Sequence, residues 1–222
     1  MNQNLSGLLA GAALLLATLV AGCAASKGAA PAVFDLGPLS AVPATIAGTT
    51  PTTRPATTTA SVSTVATIAP LTVADVTSAS WLDSLDMHYR LDYQDARQPR
   101  PYAASRWSMP PPQLLGQRIK ARLAQAGVAV LSNSDGAVNM PTLRIEADDF
   151  SQRFSGPASS DVHVAVRASV LSGRLLVAQK SFEQVRPAPT ADAAGGAQAI
   201  AGATDAVIAD LLTWLASLPA NR

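Results

Sequence analysis

One alternation near the C-terminal end narrows the fold of this chain more than any other feature. Val162, Val164, Val166, Ala168 and Val170 are apolar, and His163, Ala165, Arg167 and Ser169 stand between them. Successive side chains of a strand point to opposite faces, so this pattern describes a strand with one buried face. Ser172-Gly173-Arg174 then supplies a turn, and Leu175 to Glu183 follows as its hairpin partner. A sheet with one apolar face needs a second layer to cover it.

Two segments can form that layer. Pro110-Pro111-Pro112 opens a helix, since proline loses nothing by lacking an N–H in the first turn. Leu115, Ile119, Leu123 and Ala126 fall on one side, with Gln117, Lys120, Arg122 and Gln125 away from it, and Gly127 is placed to stop it. Asp192 to Leu218 reads as a second helix, with Ile200, Val207, Leu211, Leu215 and Leu218 as its stripe and Pro219 after it. Its tandem Gly195-Gly196 predicts weak first turns.

Further strands precede and separate these helices. Val33-Phe34-Asp35-Leu36-Gly37 and Leu71 to Val76 are short candidates. Met87, Tyr89, Leu91 and Tyr93 alternate with polar neighbours, Val128 to Leu131 follows the first helix, and Asn133-Ser134-Asp135-Gly136 reads as a turn. Leu143, Ile145 and Ala147 alternate until the phase slips at Asp148-Asp149-Phe150, which predicts a bulge or a strand end. The predicted fold is α+β: a single, mainly antiparallel sheet with two helices packed on one face.

The N-terminal region carries a different signal. Leu8 to Ala21 is a short apolar run, and Leu19-Val20-Ala21-Gly22-Cys23 places an aliphatic and small residues before the only cysteine. This is the lipobox pattern of a bacterial lipoprotein, with an apolar segment short for a membrane span. No Lys or Arg precedes the run. Cleavage before Cys23 would leave an acylated N-terminus that holds the protein to a membrane. No Asp follows Cys23, which points to the periplasmic face of the outer membrane rather than the inner one. The expected organisation is a signal peptide over 1–22, a lipid-anchored tether over 23–32 and an α+β domain over 33–219. Within that domain a Thr/Ala/Pro-rich loop covers 40–69, and an extended tether over the same residues is the alternative.

The chemistry the residues can support is limited. The net charge of +1 has no basic block to suggest nucleic acid. His88 and His163 lie on strand faces opposite the apolar ones. Asp148 and Asp149 are adjacent, so on a strand they diverge. The residues predict no enzyme, no cofactor and no metal site. Arg97 to Pro112 is the unusual stretch, combining Tyr102, Arg106, Trp107 and Met109 with prolines. Those residue types are favoured at interfaces, which makes the four candidates for partner binding. The alternative is a loop whose Trp107 closes one end of the core. The first reading has Trp107→Ala lose binding more than stability, and the second has it lose stability.

These residues also resemble a known family. Tyr89-Arg90-Leu91-Asp92-Tyr93-Gln94-Asp95, Tyr102-Ala103-Ala104-Ser105-Arg106-Trp107, Pro111-Pro112 and Leu114-Leu115 are similar to the signature of ABC-type transport auxiliary lipoproteins, the paraquat-inducible protein C-like family. Phe34 to Pro38 and Pro187 to Gly196 resemble its first strand and the approach to its last helix. The resemblance implies an accessory subunit that docks an MCE-domain protein and an ABC transporter permease complex. Such systems are associated with moving phospholipid or other hydrophobic molecules between the two membranes. It leaves open self-assembly into a homo-oligomeric ring. A stand-alone lipoprotein that binds its own lipid or small molecule is the competing function.

Overall fold

A computed structural model describes residues 30–39, 68–132, 135–136 and 140–219. Cys23, the signal segment, residues 40–67 of the Thr-rich stretch and residues 133–134 of the Asn133 turn lie outside the described residues.

The order is β1 (Ala32–Phe34), β2 (Leu71–Val73), β3 (Thr77–Ser78), a 3-10 turn (Ser80–Leu82), β4 (Asp86–Leu91), α1 (Asp92–Asp95) and β5 (Ala96–Trp107). Then follow α2 (Pro111–Gln125), β6 (Val130–Ser132), β7 (Thr142–Gly156), β8 (Ser159–Ser172), β9 (Leu175–Pro187) and α3 (Ala193–Ser217). The α+β class stands: the described residues form nine strands in one sheet and three α-helices rather than the expected two, α1 being a four-residue turn of helix.

The mainly antiparallel sheet is corrected to a mixed one. The long ladders β7–β8 and β8–β9 are antiparallel, as is β4–β5. The pairs β1–β5, β2–β6, β2–β7, β3–β7 and β4–β7 are parallel. The reason lies in β7, which has β8 along one whole side. Its other side is shared end to end by three short strands, at Thr142–Leu143, Glu146–Ala147 and Gln152–Phe154. Strands this short leave periodicity too little length to reveal their direction.

The alternation along β8 is visible in burial. Val162, Val164, Val166 and Ala168 of β8 are buried, and the residues between them are half-buried on the other face. The slip at Asp148 is a bulge: the β7–β8 register shifts between Ala147 and Asp149, and the strand continues. Phe150, Gln152 and Phe154 thereby stay on the core face. Both long helices send side chains into one core, Leu115, Ile119 and Leu123 from α2 and Ile200, Ala203, Val207 and Leu211 from α3. Ala126, placed on the apolar stripe of α2 by its spacing, is exposed beyond the helix end.

Further local expectations change, including the strand read from Leu71 to Val76, which ends at Val73. Arg97 to Trp107 is strand β5, not loop. Its prolines are tolerated because β1 covers only Ser105–Trp107, so the remainder runs along an open edge. The alternation ending at Tyr93 stops at Leu91, where α1 turns the chain and Tyr93 is exposed. Gly195-Gly196 is a packing requirement more than a weakness. A Cβ on Gly195 would collide with the Thr190 backbone, and one on Gly196 with the Gln152 amide. The helix start is instead secured by Asp192, whose carboxylate accepts the Gly195 N–H at 2.8 Å.

Candidate functional site

The four residues singled out between Arg97 and Pro112 do not form one surface patch. Trp107 is 1% exposed, with its ring 5.4 Å from that of Phe150. Tyr102 is half-buried on β5, its ring 4.6 Å from Tyr89, and its hydroxyl donates to Gln152 Oε1 at 2.9 Å. Met109 is half-buried and borders a depression beside Leu36 and Leu114. Arg106 is exposed opposite Val33 of β1. A partner can reach Arg106 and the outer flanks of Tyr102 and Met109, while the Trp107 indole belongs to the core.

Tyr102 opens a buried polar chain. Gln152, 1% exposed, accepts from Tyr102 and donates through Nε2 to Ser160 Oγ at 2.8 Å. Burial, and then the neighbouring Tyr89 and Asp192, hold the Tyr102 phenol well above its usual range. It therefore stays protonated and remains a donor. This chain joins β5, β7 and β8 directly beneath the glycine pair of α3.

A second polar group ties the N-terminal segment to the helices. Arg118 of α2 is buried and grips Asp205 of α3 with two bonds of 2.8 Å. Its third nitrogen, Nη1, donates to the Gly37 carbonyl at 2.8 Å, and Arg122 donates to the same Asp205 at 2.9 Å. Leu36 is buried beside this contact. Arg118 was missed in the sequence reading. The signal was present: Arg118 lies three and four residues after Leu115 and Leu114, on the apolar side, and Asp205 is one of only two charges in α3.

The acidic groups at these joints have a consequence for pH. Burial pushes the Asp205 carboxyl upward, but hydrogen bonds and charge from Arg118 and Arg122 outweigh it and leave it below its ordinary value. The Gly195 N–H, and then Thr190, lower Asp192 as well. A carboxyl depressed in the folded state adds stability above the unfolded value of about 4, and that stability is lost as pH falls through the depressed value. The thermal midpoint should therefore fall on acidification from pH 5 to 3. A midpoint that is flat or rising over that range would refute the assignment.

The paired acids Asp148 and Asp149 and the two histidines have partners of their own. Asp148 accepts from Arg167 at 3.2 Å, and Asp149 accepts from Ser151 at 2.6 Å and from Arg153. His163 lies 3.6 Å from Glu183. His88 meets Trp81 edge to face at 5.3 Å, and burial, against the pull of Asp86, lowers its pKa. Among the described residues no group of three His, Cys, Asp or Glu side chains could hold a metal ion.

The model of a family described as the ABC-type transport auxiliary lipoprotein component matches residues 51–211. The chain belongs to this family. Among solved structures, a protein from Xanthomonas campestris is similar at 23% identity and a TM-score of 0.58, over 66% of this chain and 83% of that one. An uncharacterised protein is similar at 16% identity and a TM-score of 0.56, over 66% of this chain and 92% of that one. At these identities the likeness is one of fold. No curated protein matches the chain. Family membership makes this an accessory lipoprotein of a transport system, associated with a membrane envelope and with a transporter as partner.

Proposed function

We propose that this chain is a lipid-anchored periplasmic accessory subunit of an MCE-type ABC transport system, moving phospholipid or other hydrophobic molecules between inner and outer membrane. It acts by docking partner proteins, and its anchor is Cys23, acylated at the periplasmic face of the outer membrane after removal of 1–22. The observation that carries this reading is the family match across residues 51–211. The open part of β5, with Arg106 and the accessible flanks of Tyr102 and Met109, is the proposed partner surface. A ring of several copies would multiply that surface.

The competing reading, a lipoprotein that carries its own apolar ligand, calls for an enclosed space between sheet and helices. That interlayer space is filled by Trp107, Phe150, Ile200 and Leu211, each 2% exposed or less. The docking reading is therefore preferred.

Purification from native membranes in mild detergent should recover an MCE-domain protein or the ABC permease with this chain. Recovery of neither, with the chain itself intact, would sink the proposal. Cys23→Ser should abolish the N-terminal acyl mass and shift the protein to the soluble fraction or to an uncleaved precursor. Unchanged membrane fractionation, with no acyl mass on the natural N-terminus, would remove the anchor from the account.

A further inference from the structure

The end of the domain where β8 turns into β9 is apolar in a way the docking role does not use. Leu175 is 71% exposed and Leu176 is 52% exposed. They are adjacent on a strand, so their side chains leave opposite faces of the hairpin. Beside them is an open cleft lined by Leu71, Pro141, Val170, Val177, Leu215 and Leu218, without a polar side chain in its lining. Ser172 to Leu176 carries one charge, Arg174, and no acid.

We propose that this hairpin tip and its cleft enter a lipid surface, giving the protein a second membrane contact besides the acyl group. The inference rests on the proposed acylation of Cys23. Three observations select lipid over protein as the occupant. A docked protein covers one face of a hairpin, whereas here both faces of the tip are apolar and exposed. The cleft offers no side-chain donor or acceptor to orient a partner, and a fluid hydrocarbon requires none. Arg174 is placed as the cation that basic residues supply beside an anionic headgroup when neighbouring leucines insert.

The natural chain has one cysteine, occupied by the acyl group in the proposed mature protein, so an introduced cysteine is a unique label. Leu175→Cys, and Ala158→Cys in the turn at the opposite end, are each labelled with an environment-sensitive dye. The acylated proteins are then reconstituted into phosphatidylethanolamine–phosphatidylglycerol vesicles. The dye at 175 should shift to the blue and be quenched severalfold more by doxyl-labelled lipid than the dye at 158, which should keep its aqueous spectrum. Flotation of the vesicles reads the anchor separately. Loss of flotation counts against the acylation, and with it against the inference. Flotation with an aqueous spectrum at 175 overturns the tip contact alone. A blue shift without doxyl quenching means that protein covers the tip, and overturns it too.

Discussion

Asp205→Ala should lower folding stability by about 3 kcal/mol, the lower end of the 3–5 kcal/mol seen when a buried ion pair loses one partner. Arg118 is 7% exposed and Arg122 is 12% exposed at the side chain, so both guanidiniums are left at the α2–α3 joint without their carboxylate. Asp205 itself is 26% exposed, which is why the lower end applies. Urea unfolding should show a lower midpoint at an unchanged slope. Adding Arg118→Met should recover part of the loss, because an apolar side chain of similar length removes the orphaned charge. A loss below about 1 kcal/mol would mean that the pair behaves like an exposed one.

Trp107→Ala should be comparably costly. Large-to-small changes of buried aromatics cost about 3–5 kcal/mol, and Trp107 is buried against Phe150. Its Nε1 has no hydrogen-bond partner among the described residues, so the truncation also removes an unsatisfied donor, whose burial costs about 1–3 kcal/mol. The two effects oppose each other, and the expected loss is about 3 kcal/mol or slightly less. Trp107→Phe keeps the ring contact, removes the donor and should be much milder. If Trp107→Ala left the urea midpoint in place and reduced recovery of the transport partner, the indole would be acting at an interface despite its burial.

The legible parts of this fold share one property, length. The β8 alternation, the proline start of α2, the Gly127 stop and the Asp192–Leu218 helix are each set by several residues in sequence. The slip at Asp148 was readable for the same reason, since a long alternation shows where its phase breaks. Strand direction was not readable for β1 and β2, and β3 was not foreseen at all; their two or three residues are paired by β5, β6 and β7 from far along the chain. The edge strand β5 was hidden by its prolines, which resemble loop composition until the open edge is known. The Arg118–Asp205–Arg122 joint illustrates a further limit. A charged residue within an apolar stripe marks a buried partner, but the partner here is 87 residues away. Nothing local indicates which acid it will be.

The proposed N-terminal anchor would give the first strand a mechanical meaning. β1 meets the sheet through three residue pairs with β5, and the Ser108 N–H donates to the Phe34 carbonyl at 2.7 Å. Tension from such an anchor would load these few bonds before any other described element. Behind them stand the Leu36 plug and the Arg118 grip on Gly37, so a pull is checked at the α2–α3 joint. The β7–β8–β9 ladders lie further along the chain and are spared. Under that anchor β1 would be the first strand to yield, and the hairpin core would keep its shape, in the manner of a sacrificial seam.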